Sequence, residues 1–397
     1  MTISPPLSFP HPPLRRRWRA ALVPLALVIA CGGCVGVNRS GPAPLHLSPD
    51  ISAPQAPWWD AAHDPLLGAL IEQGLQHDAD LQCRAEALAQ RAQAVQNHRI
   101  KARLARLVGP HDTPEDLGAD SYVMVRAREA LAIRIALAYI DARRWQERIT
   151  LREAALAPLR DNGEIARYRR EAGLVPALDG DMADVITGLD ESSVATARGH
   201  LGDAIATLAR LTGLTAEELN DRLKSAPRLP DLDIKADDAP RDLSHRADVK
   251  ALQLRIAARL AQMKWTQDRL DHQLADTNLP ATPEIAQWRA ASTRAQAEIT
   301  QAAAALATAQ SRLAPIAQSM ALALRVQSDA RLAYRAGTES FATLYVAEGA
   351  ALAAQERQID ARAALAGTTV ALWHAQGLGW DATALTPTPS GAVCDQP

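Results

Sequence analysis

From Leu66 onward, apolar residues fall three and four apart. Leu66, Leu67, Leu70, Ile71 and Leu75 share one face of a short helix. The same spacing returns at Val249, Leu252, Ile256 and Leu260, and again at Leu344, Leu352, Ile359, Ala363, Val370 and Trp373. Between these points run long alanine-rich stretches with polar residues on the remaining faces. The pattern predicts helices over about 78–107, 119–171, from a turn at Gly173–Gly180 to about Arg210, 244–274 and 284–336, with one more long helix after "GTES". Thr215 caps a short helix in "TAEELNDRL". Softer points are expected at Pro158, at Asn162-Gly163 and at Pro315. Helices of 30–50 residues span roughly 45–75 Å, and their spacing favours coiled-coil packing.

The pattern is used twice. "QHDADLQCRAEALAQRAQA" at Gln76 aligns with "DLSHRADVKALQLRIAARLAQ" at Asp242, matching His77 with His245, Asp80 with Asp248 and Arg91 with Arg259. Two later landmarks keep nearly the same register: Gly173 aligns with Gly337, and "LTGL" ending at Leu214 aligns with "AQGL" ending at Leu378. An internal duplication explains three ordered landmarks better than chance among alanines does. Ser244 is placed to cap the second opening, and Asp248 sits in its first turn.

Composition supports a thin helical molecule. Of 397 residues, 48% are hydrophobic, but much of that is alanine, and aromatics are only 4%. Alanine favours helix and close packing but buries little area. Forty-three basic and 45 acidic side chains leave a net charge of −2, which gives no nucleic-acid footprint. Arg15, Arg16, Arg17 and Arg19 precede the short apolar run "AALVPLALVIA", so 1–30 reads as a signal peptide. Val28-Ile29-Ala30-Cys31 then reads as a lipobox, with Cys31 the lipidated residue; an ordinary cleavage site beside an incidental cysteine is the alternative. Cys83 is expected to be a small packing residue. No structural disulfide is expected of Cys34 or Cys394.

The division predicted is a lipid-anchored tether at 31–58, a first helical repeat at 59–224, an inter-repeat linker at 225–243, a second repeat at 244–380 and a disordered tail at 381–397. No HExxH, GxSxG or phosphate loop is present, so no enzyme, cofactor or metal is expected. "DGDMAD" at Asp179–Asp184 lacks calcium-loop spacing and reads as an acidic helix start.

Several stretches taken in order resemble the outer-membrane efflux protein family, the TolC-like channels, and its lipoprotein branch in particular. They are "CGGC", "WWDAAHDPLLGALIEQGLQHDADLQCRAEALAQRAQA", "LAYIDARRWQERI", "YRREAGLVPALDGDMADV", "APRDLSHRADVKALQLRIAARLA", "YRAGTESFATLYVAEGAAL" and "VALWHAQGLGW". Ala247 stands where the family usually has proline. The resemblance covers about Cys31 to Trp380. It implies a trimer whose chains each supply two repeats to a helical periplasmic barrel and four strands to a membrane barrel. It also implies an outer-membrane location facing the periplasm, and export of small molecules with a periplasmic adaptor and an inner-membrane pump. The helical reversals would be the partner-binding tips, which makes Gly173, Leu174, Asp179, Gly337, Thr338 and Ser340 the candidate residues.

One departure changes that picture. The family's strands should lie near Val108–Gly118 and Ala275–Glu284. "VGPHDTPEDLG" and "ADTNLPATPE" have no alternation and no aromatics, and prolines interrupt both. Two spanning strands need about 18–22 residues. The fold class expected is therefore all-α, long antiparallel helical hairpins from two repeats, without the membrane strands. Two functional readings follow: an efflux subunit, or a barrel-less, non-conducting, lipid-tethered protein that binds an adaptor or full-length channel chains. An unrelated helical scaffold is a third, disfavoured by the repeat.

Overall fold

In the computed structural model the described residues are 56–105, 114–175, 177–224, 229–230, 232, 243, 245–275 and 282–385. Cys31, Ser244, the signal segment and the tether before Ala56 lie outside them. The described residues form ten α-helices and one 3-10 turn, with no strand among them. In order these are α1 (Trp58–Ala61), α2 (Pro65–His77), α3 (Ala79–Ala105), α4 (Pro114–Glu171), α5 (Ala177–Thr212), α6 (Ala216–Lys224), α7 (Ala247–Gln262), α8 (Gln267–Ala275), α9 (Pro283–Ala336), α10 (Phe341–Gln376) and the 3-10 turn Ala382–Leu385. The two halves repeat in length. α4 has 58 residues and α9 has 54, and α5 and α10 have 36 each. At 1.5 Å per residue α4 is about 87 Å long. None of the described helices is long and apolar enough to cross a membrane.

Local chemistry sets the starts and stops. Asp64 caps α2 by accepting from the Leu66 and Leu67 amides at 3.1 Å, with Pro65 at the first helical position. The Tyr139 hydroxyl donates to the other Asp64 oxygen at 2.7 Å, so the cap also ties α2 to α4. Thr215 and Glu218 form a capping box at α6: the Glu218 amide donates to Thr215 Oγ1 at 3.2 Å, and the Thr215 amide donates to Glu218 Oε2 at 2.8 Å. The predicted stripes are the buried faces. Leu67, Leu70, Ile71 and Leu75 of α2 are buried, as are Val249, Ile256 and Leu260 of α7.

Several expectations are corrected. The helix from Ser244 does not run on to Leu274. It stops at Gln262 and resumes at Gln267, because Lys264 takes a left-handed φ of 56° that no helix can continue through. α4 begins at Pro114, inside the stretch read as a break, since proline suits a first turn where the amide is unpaired anyway. The turn after Gly173 is short, and helix resumes at Ala177. Pro158 and Pro315 lie within α4 and α9 without ending them, because long hydrogen-bonded flanks and packing outweigh one lost bond. Trp58 belongs to the helices rather than the tether: it is buried and stacks on Trp373 at 5.3 Å. Within the segment read as a disordered tail, Asp381 caps the 3-10 turn through the Thr383 amide at 3.0 Å, and Ala384 is buried. Cys83 is disulfide-bonded, so it is more than a packing residue. It is half-buried on α3.

The repeats meet at two places besides their shafts. Near the starts of α4 and α7, Arg246 is buried and holds Asp248 (2.6 Å), Glu298 (2.8 Å) and the Ala375 carbonyl (2.9 Å). Gly377 ends α10 with φ 76°, and Trp380 donates its indole N–H to the His245 carbonyl at 2.9 Å. Along the shaft, Arg148 and Arg152 of α4 share Glu356 of α10, and Arg362 of α10 reaches Glu147 of α4 at 3.0 Å. The second meeting place is at the reversals.

Candidate functional site

Each long hairpin turns on one glycine. Gly173, after α4, has φ 68°, and the Leu174 amide donates to the Arg169 carbonyl at 2.9 Å. Gly337, after α9, has φ 75°, and the Thr338 amide donates to the Ala333 carbonyl at 3.0 Å. Both are left-handed helix ends that satisfy the last carbonyls. A Cβ at either glycine would meet nothing within 4 Å, so backbone conformation alone requires glycine there. Thr338 adds a hydroxyl bond to the same Ala333 carbonyl at 3.0 Å, and Ser340 caps α10 by accepting from the Thr343 amide at 3.1 Å. Leu174 stands exposed at 74%. Asp179 falls in the first turn of α5, and its side chain lies outside the description.

The structure brings both reversals together. Arg169, one turn before Gly173, donates to the Tyr334 carbonyl at 3.0 Å and to the Arg335 carbonyl at 3.3 Å, the last carbonyls of α9. Its guanidinium lies 4.7 Å from the Tyr334 ring centre. A cation at a helix C-terminus is favoured by the dipole as well as by the hydrogen bonds. Tyr334 is buried, packs edge-on against Phe341 and donates to the Asn162 carbonyl at 3.4 Å. Below it, Glu348 accepts from Arg331 at 2.8 Å and from Asn162 at 3.1 Å. Leu159, Ala166, Ile186, Tyr334, Phe341 and Leu344 make a small core of their own. Burial raises the Asp190 carboxyl above its ordinary range, with Glu356 adding to the effect and Arg152 opposing it.

Arg169, Tyr334, Asn162 and Glu348 were not among the residues singled out from the sequence. One signal was available: a Tyr-Arg pair precedes each turning glycine, at Tyr168-Arg169 and Tyr334-Arg335. The pairs are not used alike: Tyr168 is 69% exposed while Tyr334 is buried, and Arg335 also reaches Asp161 of the first hairpin at 3.4 Å. Around the tips, Leu332 and Val346 of the second hairpin and Val185 and Leu189 of the first are also left exposed. Among the described residues no three His, Cys, Asp or Glu side chains gather as a metal site.

Two capped hairpins of 36- to 58-residue helices, joined at their tips by an arginine clamp, define a long-helix all-α fold with no strand among the described residues. Solved outer-membrane channels share this fold. The chain is similar to the outer-membrane channel OprN, with 19% identity over 84% of this chain and 95% of that one, at a TM-score of 0.65. It is likewise similar to the outer membrane protein VceC of Vibrio cholerae, with 19% identity over 82% and 99% and a TM-score of 0.61. The Campylobacter jejuni outer membrane channel CmeC gives 16% identity over 83% and 89%, with a TM-score of 0.59. No family model matches the sequence, and no curated protein does.

Proposed function

We propose that this chain is a subunit of the outer-membrane efflux class, held in the outer membrane by a lipid on Cys31. Its hairpin tips meet a periplasmic adaptor, and through it an inner-membrane pump that exports small molecules. The observation that carries this is the pair of glycine reversals locked side by side by Arg169, at the end of a fold shared with outer-membrane channels. The partner-binding residues proposed are Gly173, Leu174, Asp179, Gly337, Thr338 and Ser340, with Arg169 holding the two turns in register. The apolar side chains left exposed around them suit a helical partner. Exposed Leu322 and Val326, one turn apart on α9, suit packing against another copy, and a homotrimer is the arrangement proposed.

A second reading is favoured by the chain's length between helices. α3 ends at Ala105 and α4 starts at Pro114, while α8 ends at Ala275 and α9 starts at Pro283. These gaps hold eight and seven residues, from 106 to 113 and from 276 to 282. A pair of spanning strands needs about 18–22. The chain would then wall a periplasmic tunnel but conduct only beside full-length channel chains. Single-channel recording separates the readings. Purified protein alone in a bilayer should give no conductance, whereas steady unitary currents would establish the first reading's self-sufficient channel. Photo-crosslinkers at Leu174 and Thr338 should capture an adaptor in cells. Capture equal to that from a crosslinker on the shaft at Arg198 would remove the tips as the partner site.

A further inference from the structure

The segment Gly377–Trp380, between α10 and the 3-10 turn, ties three parts of the chain together. The Leu378 carbonyl accepts from the Trp58 amide at 2.9 Å, which holds α1 and with it the start of the helical region. The Trp380 indole N–H donates to the His245 carbonyl at 2.9 Å, which holds the opening of α7. Trp380 is buried and meets the Tyr122 ring of α4 edge-on at 5.6 Å.

Beneath this segment lies a carboxyl with little to hold a charge. Glu129 of α4 is 1% exposed. Gly379 passes directly over it: a Cβ on Gly379 would lie 2.9 Å from Glu129 Cγ and 3.5 Å from Oε1. Oε1 has no hydrogen-bond partner, and Oε2 has Arg126 Nη1 at 3.5 Å, too long for a strong bond. The other charges at the junction are engaged elsewhere. Arg246, at the opening of α7, holds Asp248 of α7 and Glu298 of α9. Arg128 of α4 faces Asp381, at the start of the 3-10 turn. Two imidazoles complete the surroundings, His245 before α7 and His374 of α10. Burial pushes His374 down to about 4, so it is neutral at pH 7. A carboxylate closed off from water with one oxygen bare is far costlier than the neutral acid, which needs no counter-charge. Burial accordingly pushes the Glu129 carboxyl up to about 7, with Arg126 and Arg246 opposing and Asp248 adding to the rise.

We propose that Glu129 is a proton-dependent latch: as the neutral acid it lets the Gly377–Trp380 segment close over it, and as the carboxylate it drives that segment open. When the proton leaves to solvent, the carboxylate is hydrated only if the backbone above it lifts. Lifting breaks the bond from Trp380 to the His245 carbonyl and the bond from the Trp58 amide to Leu378. The start of the helical region and the opening of the second repeat then loosen together. The tips lie roughly 60 Å away along α4 and take no part, so the latch stands independently of the partner site proposed there.

The test reads solvent contact at Trp380 in the full chain labelled with 5-fluorotryptophan. The ¹⁹F resonance lost in Trp380→Phe is that of Trp380, and its shift between H2O and D2O reports exposure. In the native chain that shift should be small at about pH 5.5 and grow through a single transition with a midpoint near 7, while the Trp288 resonance, on α9, stays constant. Glu129→Gln should stay closed up to about pH 8.5. His374→Gln and His245→Gln should both keep the transition, which separates Glu129 from the two imidazoles. A flat profile in the native chain, or the same transition in Glu129→Gln, would overturn the latch. So would its disappearance in either histidine variant, since the transition would then belong to that histidine. If Glu129→Gln does not fold, Arg126→Gln decides: loss of the nearest cation should move the midpoint upward, and an unmoved midpoint would overturn the assignment to Glu129.

Discussion

Four glycines in this chain take a left-handed φ, and the structure gives two of them different reasons. At Gly337 a side chain would find open space, so only the backbone resists. At Gly377 a Cβ would also lie 2.5 Å from the His245 carbonyl oxygen and 2.9 Å from Arg246 Cα, both backbone positions that cannot swing away. Gly337→Ala should therefore cost about 1 kcal/mol. Gly377→Ala should cost clearly more, because it also separates α10 from the opening of α7. Urea unfolding of the two variants checks this, and equal midpoints would mean the α7 backbone gives way freely. At the tip, the bulkier Gly337→Val should keep abundance and helicity while losing crosslinking to an adaptor. Undiminished crosslinking at equal abundance would reduce that turn to a connection.

Between elements, the junction of α4, α7 and α10 carries a titration of its own. Glu129 of α4 is buried, with Oε1 unpartnered and Arg126 only 3.5 Å from Oε2. Burial pushes its carboxyl up to about 7, against the pull of Arg126 and of Arg246 from α7; Asp248 of α7 adds to the rise. His374 of α10, in the same surroundings, is pushed down to about 4, by burial first and then by Arg126 and Arg246, while Asp248 opposes the shift. The signs oppose. The folded chain holds the Glu129 proton more tightly than the unfolded chain, so its contribution is full below about 4.5 and is lost as pH rises to about 7. The neutral His374 contributes above about 6.5 and loses that as pH falls to about 4. Glu129→Gln removes only the first. The variant's stability relative to the native chain should rise between pH 4.5 and 7 and then level off, with a span on the order of 3 kcal/mol. Unfolding midpoints at half-unit pH steps give the curve, and a constant difference across the range would contradict it.

The tips offer an element-scale test with a local readout. Arg169 makes two charge-assisted bonds to the end of α9 from a half-buried position. Arg169→Ala should loosen the second hairpin's reversal by on the order of 1 kcal/mol. Amide exchange should quicken at residues 333–340 and stay unchanged in α7. Unchanged exchange at the tip would show that the apolar core of Tyr334 and Phe341 holds the turns together alone.

For the whole molecule, the attachment proposed above is the lipid on Cys31, and it can be tested directly. Cys31→Ser should stall processing or release the chain from membranes. Continued fractionation with the outer membrane, together with uptake of labelled palmitate, would place the anchor elsewhere.

The sequence alone was enough for the all-α class, the doubled order of helices and the two turning glycines. These depend on spacing, capping and backbone freedom, which are local and written in adjacent residues. The short gaps were legible too, because strand length is a matter of counting. What it did not determine was everything that needs two distant segments at once. The break at Lys264 has no glycine or proline to announce it. The Arg169 clamp joins carbonyls 165 and 166 residues away, and one Tyr of two similar Tyr-Arg pairs is buried while the other faces solvent. Glu129 and His374 look like ordinary polar positions on their own helices, and the backbone that covers Glu129 comes from Gly379, far along the chain. Periodicity says which face of a helix is buried. Only the packed helices decide which charges that face meets, and whether a carboxyl buried among them finds a donor.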